Sequence, residues 1–170
     1  MNKQSELNKI AWEYRAYDFW QMRDGKPEEK AKRIIENPLG CLKKHQKYFD
    51  DIKKKKIANI CGSNGRKAVP LALMGAEVTI FDISDENKRY ALELAQYAGI
   101  QIDYVVGDFY DADINKYNEY FDIAYLEGGI LHYFNDINKL TKMLCEILKL
   151  GGKLILSDFH PIRPICFISA

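Results

Sequence analysis

The first fifty residues carry apolar side chains at steps of three and four. From Leu7 to Trp20 these side chains recur as one face of an amphipathic helix requires. The segment Asp24 to Pro27 interrupts the pattern. A second helix is predicted from about Pro27 to Glu36, because proline suits a first helical turn. A short third helix is predicted from Leu42 to Phe49. The N-terminal part of the chain is therefore predicted to be helical.

From residue 57 the pattern changes to short apolar runs that alternate with helical periodicity. Five strands are predicted, at residues 57–61, 77–81, 102–106, 121–126 and 153–157. Helices are predicted between them, at about residues 65–74, 85–98 and 137–150, the second with Ser84 as its N-cap. Strands that alternate with helices across short connections indicate βαβ units and a parallel sheet. The predicted fold class is α/β, a Rossmann-like doubly wound, mostly parallel sheet that follows N-terminal helices.

In open α/β sheets a ligand binds beyond the carboxyl ends of the strands. The first of these ends reads Asn59-Ile-Cys-Gly-Ser-Asn-Gly-Arg66, which looks like a glycine-rich nucleotide loop with some glycines replaced. Gly62 and Gly65 remain, but Cys61 and Ser63 stand where close approach to a pyrophosphate needs glycine. A ligand without a pyrophosphate therefore fits this loop better than a dinucleotide does.

The next strand ends carry groups that suit a nucleoside. Asp82 follows the second strand, where a carboxylate can accept hydrogen bonds from both ribose hydroxyls. Asp108 and Phe109 follow the third strand, and a carboxylate beside a ring suits the amino group and the face of an adenine. A single strand-end aspartate is often only a turn residue. The ordered set of such groups is the stronger indication.

Taken in order, these motifs resemble the class I S-adenosylmethionine-dependent methyltransferases that act on small molecules. The matching segments are IANICGSNGR, AEVTIFDIS, VVGDF, FDIAYLEGGILHYF and LKLGGKLILSDF, within residues 57–161. The resemblance implies S-adenosylmethionine as cofactor. It implies that Cys61, Gly62, Ser63 and Gly65 wrap the amino-acid end of the cofactor, that Asp82 holds the ribose, that Ile83 flanks the adenine, that Asp108 and Phe109 bind it, and that Glu127 and Gly128 pass under the methionine.

The sequence also departs from the family. Asn59 stands where the family has an acidic residue, and Cys61 and Ser63 replace two glycines. The family sheet has two further antiparallel strands after the fifth. Residues 165–170 leave room for at most one, so these C-terminal strands are expected to be missing. The open sheet edge is a possible site of homo-oligomer formation, since an apolar edge favours association.

Candidate catalytic residues follow the fourth strand. Methyl transfer is an in-line displacement in which the protein mainly aligns the reactants, and a general base is needed only for a protonated acceptor. His132 titrates near neutral pH, and Glu127 is the second candidate. His160 and Arg163 could reach an anionic acceptor. The position reads Leu-Glu-Gly-Gly rather than the Asn-Pro-Pro-aromatic motif of enzymes that methylate DNA bases or glutamine, which argues against those acceptors.

Composition adds limits on partners and location. Residues 1–56 carry 15 Lys and Arg against 9 Asp and Glu, yet the whole chain has a net charge of only +1, so no nucleic-acid partner is expected. No signal peptide and no apolar run of about 18–20 residues is present, which predicts a cytoplasmic protein without a membrane partner. No cysteine pattern predicts a metal.

These observations predict a helical lid at residues 1–56 and a cofactor-binding core at residues 57–170, acting as a methyltransferase on a small-molecule acceptor. Two alternatives stay open. A nicotinamide-dependent oxidoreductase would explain the βαβ order and Asp82. A non-catalytic relative that keeps only the fold or the cofactor site would explain the altered loop and the missing strands.

Overall fold

A computed structural model describes residues 3–159 of the chain. Its five strands form one sheet in the order β3-β2-β1-β4-β5, and every pair is parallel. The strands are β1 (Lys56–Ile60), β2 (Glu77–Asp82), β3 (Asp103–Val106), β4 (Phe121–Glu127) and β5 (Leu148–Ser157). The α-helices are α1 (Lys3–Glu13), α2 (Ala16–Asp24), α3 (Pro27–Glu36), α4 (Ala68–Leu73), α5 (Asp85–Tyr97) and α6 (Ile137–Ile147). Short 3₁₀ segments lie at Leu39–Tyr48, Phe109–Asp111, Ile114–Tyr117 and Leu131–Tyr133.

The sheet is covered on both faces because its central strands are apolar on both sides. In β1, Ala58 and Ile60 belong to the core cluster that contains the apolar face of α6. Ile57 belongs to the cluster on the opposite side, with α4 and α5. Alternate residues of a strand point to opposite faces, so one short run supplies both cores. The predicted doubly wound α/β fold is confirmed.

The predicted single helix from Leu7 to Trp20 is wrong. Arg15 adopts a left-handed conformation with φ of 49°, and it separates α1 from α2. This break turns the chain, so that Tyr17 and Trp20 of α2 pack against α5, while α1 contacts the start of α5 and the segment Leu131–Tyr133. The apolar periodicity continues across the break, which is why the sequence did not reveal it.

The third predicted helix is a 3₁₀ segment, Leu39–Tyr48, with a kink at Lys43, where φ is 54° and ψ is −127°. The helix Pro27–Glu36 matches its prediction. Ser84 caps α5 as predicted, since its side chain accepts a 3.0 Å hydrogen bond from the Asn87 amide. Pro70 lies in the first turn of α4, where a missing N–H costs no helical hydrogen bond.

The last helix and strand differ in their bounds from the prediction. Helix α6 ends at Ile147, and β5 begins at once, with a register shift in its pairing to β4 around Gly151-Gly152. Strand β5 pairs only with β4 among residues 3–159 and leaves Leu150, Leu154 and Leu156 exposed. The extra strand considered for residues 165–170 lies outside the described residues, as do His160 and Arg163. Within the described part, no helix has the length and apolar character needed to cross a bilayer.

Candidate functional site

The carboxyl ends of all five strands open into one cavity of about 1030 Å³. Each strand end contributes at least one lining residue: Cys61, Asp82, Asp108, Glu127 and Asp158. Strand order reverses between β1 and β4, which are neighbours in the sheet. The cavity therefore lies where open α/β sheets bind their ligands.

The loop after β1 has a glycine-like backbone at two positions that are not glycine. Cys61 and Ser63 both have φ of 51°, and Gly65 has φ of 76°. A left-handed conformation costs a residue with a side chain about 1–2 kcal/mol, so the surrounding contacts hold Cys61 and Ser63 in a conformation that glycine adopts freely. The two residues that replace glycines thus adopt the left-handed conformation that glycine favours.

Gly62 and Gly65, both predicted to bind cofactor, shape this loop from behind. A Cβ at Gly62 would lie 2.6 Å from Oδ1 of Asn59, and a Cβ at Gly65 would lie 2.9 Å from Cβ of Ala91 in α5. Neither glycine lines the cavity, whereas Cys61 and Ser63 do. Glycine at these two positions lets the loop pack closely on the sheet and on α5.

Asp82 is fastened to its surroundings through both carboxylate oxygens. Oδ2 accepts a 3.0 Å hydrogen bond from the Ser63 amide, and Oδ1 accepts 3.1 Å bonds from the Ser84 amide and from Nδ2 of Asn87. Burial raises the pKa of Asp82, against the lowering effect of these donors. Asp82 lines the cavity as predicted, and it also holds the loop and the start of α5 in place.

Two buried polar atoms near the loop lack a hydrogen-bond partner among the described residues. Asn59 donates from Nδ2 to the carbonyl of Tyr125 at 3.2 Å, but its Oδ1 has no partner. The Ser63 hydroxyl is also buried and without a partner. Of the two residues, Ser63 lines the cavity, whereas Oδ1 of Asn59 lies against Gly62 and Asn59 is not among the lining residues. An unpaired buried hydroxyl is costly, and the Ser63 hydroxyl can donate to a carboxylate, so Ser63 fits the amino-acid end of S-adenosylmethionine.

The predicted adenine-binding residues line the same cavity, but neighbouring side chains already contact two of them. Asp108 accepts hydrogen bonds from the Ser5 hydroxyl of α1 and from the Tyr110 amide, the latter at 2.9 Å. The ring of Phe109 is buried and packs edge-to-face on Phe81, with centroids 5.4 Å apart. Ile83 lines the cavity at the end of β2. Because the Phe109 ring packs on Phe81, its face is not free for an adenine. This part of the cavity instead offers an adenine the Asp108 carboxylate and the nearby backbone.

Glu127 lies at the centre of a charged cluster that sequence reasoning missed. Its Oε2 is 3.1 Å from Nδ1 of His45. Its Oε1 is 3.6 Å from Nζ of Lys67 and 3.8 Å from Nη2 of Arg66. These partners come from a distant 3₁₀ segment and from the loop before α4. The burial of His45 was detectable in principle, because His45 shares a helical face with Leu42 and Phe49.

Burial shifts the pKa values of two members of this cluster. It lowers the pKa of His45 and of Lys67, and the Glu127 carboxylate opposes both changes. Nδ1 of His45 also lies 2.7 Å from the hydroxyl of Tyr125, whose pKa burial raises. Lys67 is 7% exposed and donates a 2.7 Å hydrogen bond to the carbonyl of Cys41.

His132, the other candidate base, is exposed at the cavity in the 3₁₀ segment after β4. Its ring lies 4.0 Å from that of Tyr133, measured between centroids. The turn that carries it is held by Asp158, whose Oδ2 accepts hydrogen bonds from the amides of Ile130 at 3.0 Å and Leu131 at 2.7 Å. Gly128, in the preceding turn, lines the cavity with φ of 98°.

Helix α1 lies across several of the strand ends. Glu13 accepts hydrogen bonds from the amides of Asp85 and Glu86, at 2.6 and 3.1 Å, and so caps α5 from outside. Trp12 lines the cavity and meets Tyr133 edge-to-face, with centroids 6.0 Å apart. Trp20 lines it too, whereas Tyr14 is 77% exposed. Residues 3–159 contain no group of three or more side chains placed to bind a metal ion.

Comparison with known proteins identifies the family. A family described as a methyltransferase domain matches residues 60–156, more than half of the chain. The ubiquinone biosynthesis O-methyltransferases of Xanthomonas euvesicatoria pv. vesicatoria and Xanthomonas axonopodis pv. citri are each 28% identical over 100 residues, which is 59% of this chain and 41% of theirs. The chain thus spans about two fifths of the length of these curated relatives.

Solved structures share the fold. The YcgJ protein of Bacillus subtilis has a TM-score of 0.62 and 21% identity, and the match covers 76% of this chain and 54% of that one. An S-adenosylmethionine-dependent methyltransferase from Mesorhizobium loti has a TM-score of 0.58 and 21% identity, covering 75% and 56%. The family match decides against the nicotinamide-dependent alternative. The chain belongs to the class I S-adenosylmethionine-dependent methyltransferases, the family whose cofactor is S-adenosylmethionine.

Proposed function

We propose that this chain binds S-adenosylmethionine at the strand ends and transfers its methyl group to a small-molecule acceptor. One observation carries the proposal: the hydrogen bond between the Ser63 amide and Asp82 joins the left-handed loop to the ribose-binding position at the edge of a single cavity. That arrangement favours an adenosyl ligand with a compact amino-acid end. A pyrophosphate fits this loop less well, because positions 61 and 63 carry side chains where its close approach needs glycine.

Residues of the chain hold the two ends of the cofactor. The Ser63 hydroxyl, which lines the cavity, has free hydrogen-bonding capacity for the amino-acid end. Cys61, Gly62 and Gly65 give the loop its shape there, and Glu127 with Gly128 borders it at the end of β4. Asp82 is assigned to the ribose. Ile83, Asp108 and Phe109 are assigned to the adenine.

When bound, S-adenosylmethionine supplies an electrophilic methyl group. The protein then has to align the acceptor and exclude water. Trp12 and Trp20 line the cavity from the N-terminal helices, which supports a lid role for residues 1–56. An aromatic face near a sulfonium contributes about 0.5–2 kcal/mol.

Of the two candidate bases, His132 is the more available. Its ring is exposed at the cavity, and it can take a proton from an acceptor hydroxyl. Glu127 has neighbours on both oxygens, so its role is more simply that of a positioning residue. His132→Ala should lower kcat at neutral pH and leave the affinity for S-adenosylhomocysteine unchanged. Equal kcat values for variant and wild type would remove His132 from the mechanism.

A small oxygen acceptor is favoured by the curated relatives, which are named as O-methyltransferases of ubiquinone biosynthesis. The Leu-Glu-Gly-Gly sequence after β4 and the cover that α1 provides over the cavity also favour a small molecule over a polymer.

Calorimetric titration with S-adenosylhomocysteine, S-adenosylmethionine and NAD tests the cofactor assignment. Binding of the two sulfur compounds alone is the expected result. Binding of NAD alone would overturn the proposal. If none of the three bound at near-millimolar concentration, the chain would be a relative that has kept the fold and lost the cofactor. Release of S-adenosylhomocysteine in the presence of candidate phenols and acids then tests turnover.

A further inference from the structure

We propose that one end of the cavity is a binding site for the oxyanion group, a carboxylate or phosphate, of an acidic acceptor. We call this end the basic corner and define it as Lys43, Lys44, Arg66 and Lys67, all of which line the cavity. The inference rests on the proposed function and deepens it, because it names the chemical class of the acceptor.

The basic corner carries more positive charge than its neighbours neutralise. Glu127 is the carboxylate within 4 Å of Arg66 and Lys67, and both cations approach the same oxygen, Oε1. Among residues 3–159, Lys43 and Lys44 have no carboxylate partner at that distance. The other acids that line the cavity have partners elsewhere: Asp24 is paired with Lys30 at 3.7 Å, Asp82 is bound by the donors described above, Asp108 accepts from Ser5 and Tyr110, and Asp158 accepts from the amides of Ile130 and Leu131. Among the described residues, Glu127 is thus the one carboxylate within 4 Å of any cation of the basic corner.

The distances leave room for a second anion. Arg66 and Lys67 lie 3.8 and 3.6 Å from Glu127, beyond the range of a good charge-assisted hydrogen bond. The Arg66 side chain lines the cavity and is about one-third exposed, and its guanidinium carries five N–H donors. A guanidinium fork beside an ammonium matches the oxygens of a carboxylate or phosphate. Burial of Lys67 reduces solvent screening of that attraction.

The backbone conformation of Lys43 independently supports a ligand site at the basic corner. Its φ of 54° and ψ of −127° are strained for a residue with a side chain, and they produce the kink in the 3₁₀ segment Leu39–Tyr48. Such strain costs about 1–3 kcal/mol and clusters at functional sites. The kink leaves Leu42 and His45 buried while Lys43 and Lys44 line the cavity. The fold therefore keeps a costly conformation where two lysines face the ligand space.

The oxyanion that binds the basic corner could belong either to the acceptor or to the cofactor, which also carries a carboxylate. The experiment therefore has to separate these two molecules. S-adenosylhomocysteine has the amino-acid end, whereas 5′-methylthioadenosine has the same nucleoside and thioether without it. Affinities of the wild type, Arg66→Met and Lys67→Met for both compounds tell whether the basic corner holds the cofactor. A second arm measures binding of benzoate, phenyl phosphate and neutral benzamide to each protein saturated with S-adenosylhomocysteine.

We expect benzoate or phenyl phosphate, but not benzamide, to bind the wild type at millimolar concentration, and we expect Arg66→Met to weaken that binding at least about tenfold. Lys142→Met is the matched control, since Lys142 is exposed on α6 and outside the cavity, and it should bind the anions as the wild type does. Arg66→Met and Lys142→Met should both bind S-adenosylhomocysteine with the affinity of the wild type. Because Lys67 is buried, its variant is checked by thermal unfolding, and Arg66→Met carries the test if Lys67→Met does not fold.

Three results would overturn the inference: no binding of either anion, equal binding of benzamide, or anion binding that survives in Arg66→Met. A loss of S-adenosylhomocysteine affinity in Arg66→Met, with 5′-methylthioadenosine unchanged, would assign the corner to the cofactor's carboxylate and would also overturn it. If the wild type bound no S-adenosylhomocysteine, the proposed function would fail. The binding of benzoate and phenyl phosphate, measured again without S-adenosylhomocysteine, would still test the basic corner.

Discussion

The main-chain N–H of Ser63 donates a 3.0 Å hydrogen bond to Oδ2 of Asp82, and this bond ties the loop after β1 to the end of β2. The same carboxylate receives the Ser84 amide and Nδ2 of Asn87 on its other oxygen. Asp82 is therefore both a structural link and a candidate cofactor ligand. The two roles make separable predictions.

Asp82→Ala should lower the free energy of unfolding of the ligand-free protein by about 1–3 kcal/mol, because it leaves buried donors unsatisfied. It should also weaken binding of S-adenosylhomocysteine. Urea denaturation and calorimetry measure the two effects. Asp103→Ala, at an exposed position at the start of β3, is the control and should change stability by no more than about 0.5 kcal/mol. Unchanged stability of Asp82→Ala would contradict the structural role.

Ser63→Gly should stabilise the protein by up to about 1 kcal/mol. Glycine removes the cost of a left-handed residue and a buried hydroxyl without a partner, partly offset by the greater freedom of glycine in the unfolded chain. Lys54→Gly is the matched control, because Lys54 has φ of 62° and does not line the cavity. Both changes should raise the midpoint of urea unfolding.

Ligand binding distinguishes these two variants. Only Ser63→Gly should weaken S-adenosylhomocysteine binding, by the loss of the hydroxyl that we propose binds the amino-acid end. If Ser63→Gly were instead destabilising while Lys54→Gly was stabilising, the left-handed conformation of Ser63 would be in question.

The parts of the molecule that follow from local signals were predictable from the sequence. Apolar runs identified all five strands, and the rule that parallel strands deliver their carboxyl ends to one edge brought Cys61, Asp82, Asp108 and Glu127 together. The Ser84 cap was also a local signal, since a capping side chain and its amide lie three residues apart.

The parts that depend on distant contacts were not predictable. The break at Arg15 lies within a continuous apolar pattern, and it accompanies the packing of α2 on α5, a contact between segments far apart in the sequence. The neighbours of Glu127 come from residue 45 and from the loop before α4, so no spacing in the sequence links them. The strain at Lys43 likewise has no local signature, because a lysine in a polar segment normally indicates only an exposed surface.

His45 should give the stability of the protein a specific pH dependence. Burial is the main cause that lowers its pKa from the ordinary value of 6.5, and the Glu127 carboxylate opposes it. The unfolded chain therefore takes up a proton first as the pH falls. The contribution of neutral His45 is complete above about pH 6.5 and is lost as the pH falls through that value towards the lower folded pKa.

Comparison with His45→Gln isolates this effect. The difference in unfolding free energy, wild type minus variant, should be largest near about pH 8 and should shrink towards about pH 5. The raised pKa of Asp82 acts in the opposite direction, with stability lost as the pH rises through its folded value, but it is present in both proteins and cancels. A difference that is constant with pH, or that grows on acidification, would contradict the assignment of a neutral, buried His45.

Glu13 should control how firmly α1 covers the cavity. Its carboxylate accepts hydrogen bonds from the Asp85 and Glu86 amides and from the Ser84 hydroxyl, so it fixes the C-terminal end of α1 to the start of α5. Glu13→Ala removes this tertiary cap and should cost about 0.5–2 kcal/mol of stability. It should also speed amide hydrogen exchange throughout α1, because the helix loses its anchor beside the ribose position.

Exchange of the amides of Lys3–Glu13, followed by mass spectrometry with and without S-adenosylhomocysteine, checks this directly. In the wild type the ligand should slow exchange in α1 if the helix closes over the site, and in Glu13→Ala the slowing should be smaller. Glu6→Ala is the control, since Glu6 lies on the same helix with an exposed side chain, and it should leave exchange near the wild-type rate. Equal exchange in all three proteins would mean that α1 stays in place without Glu13, and the lid role would then need an anchor elsewhere.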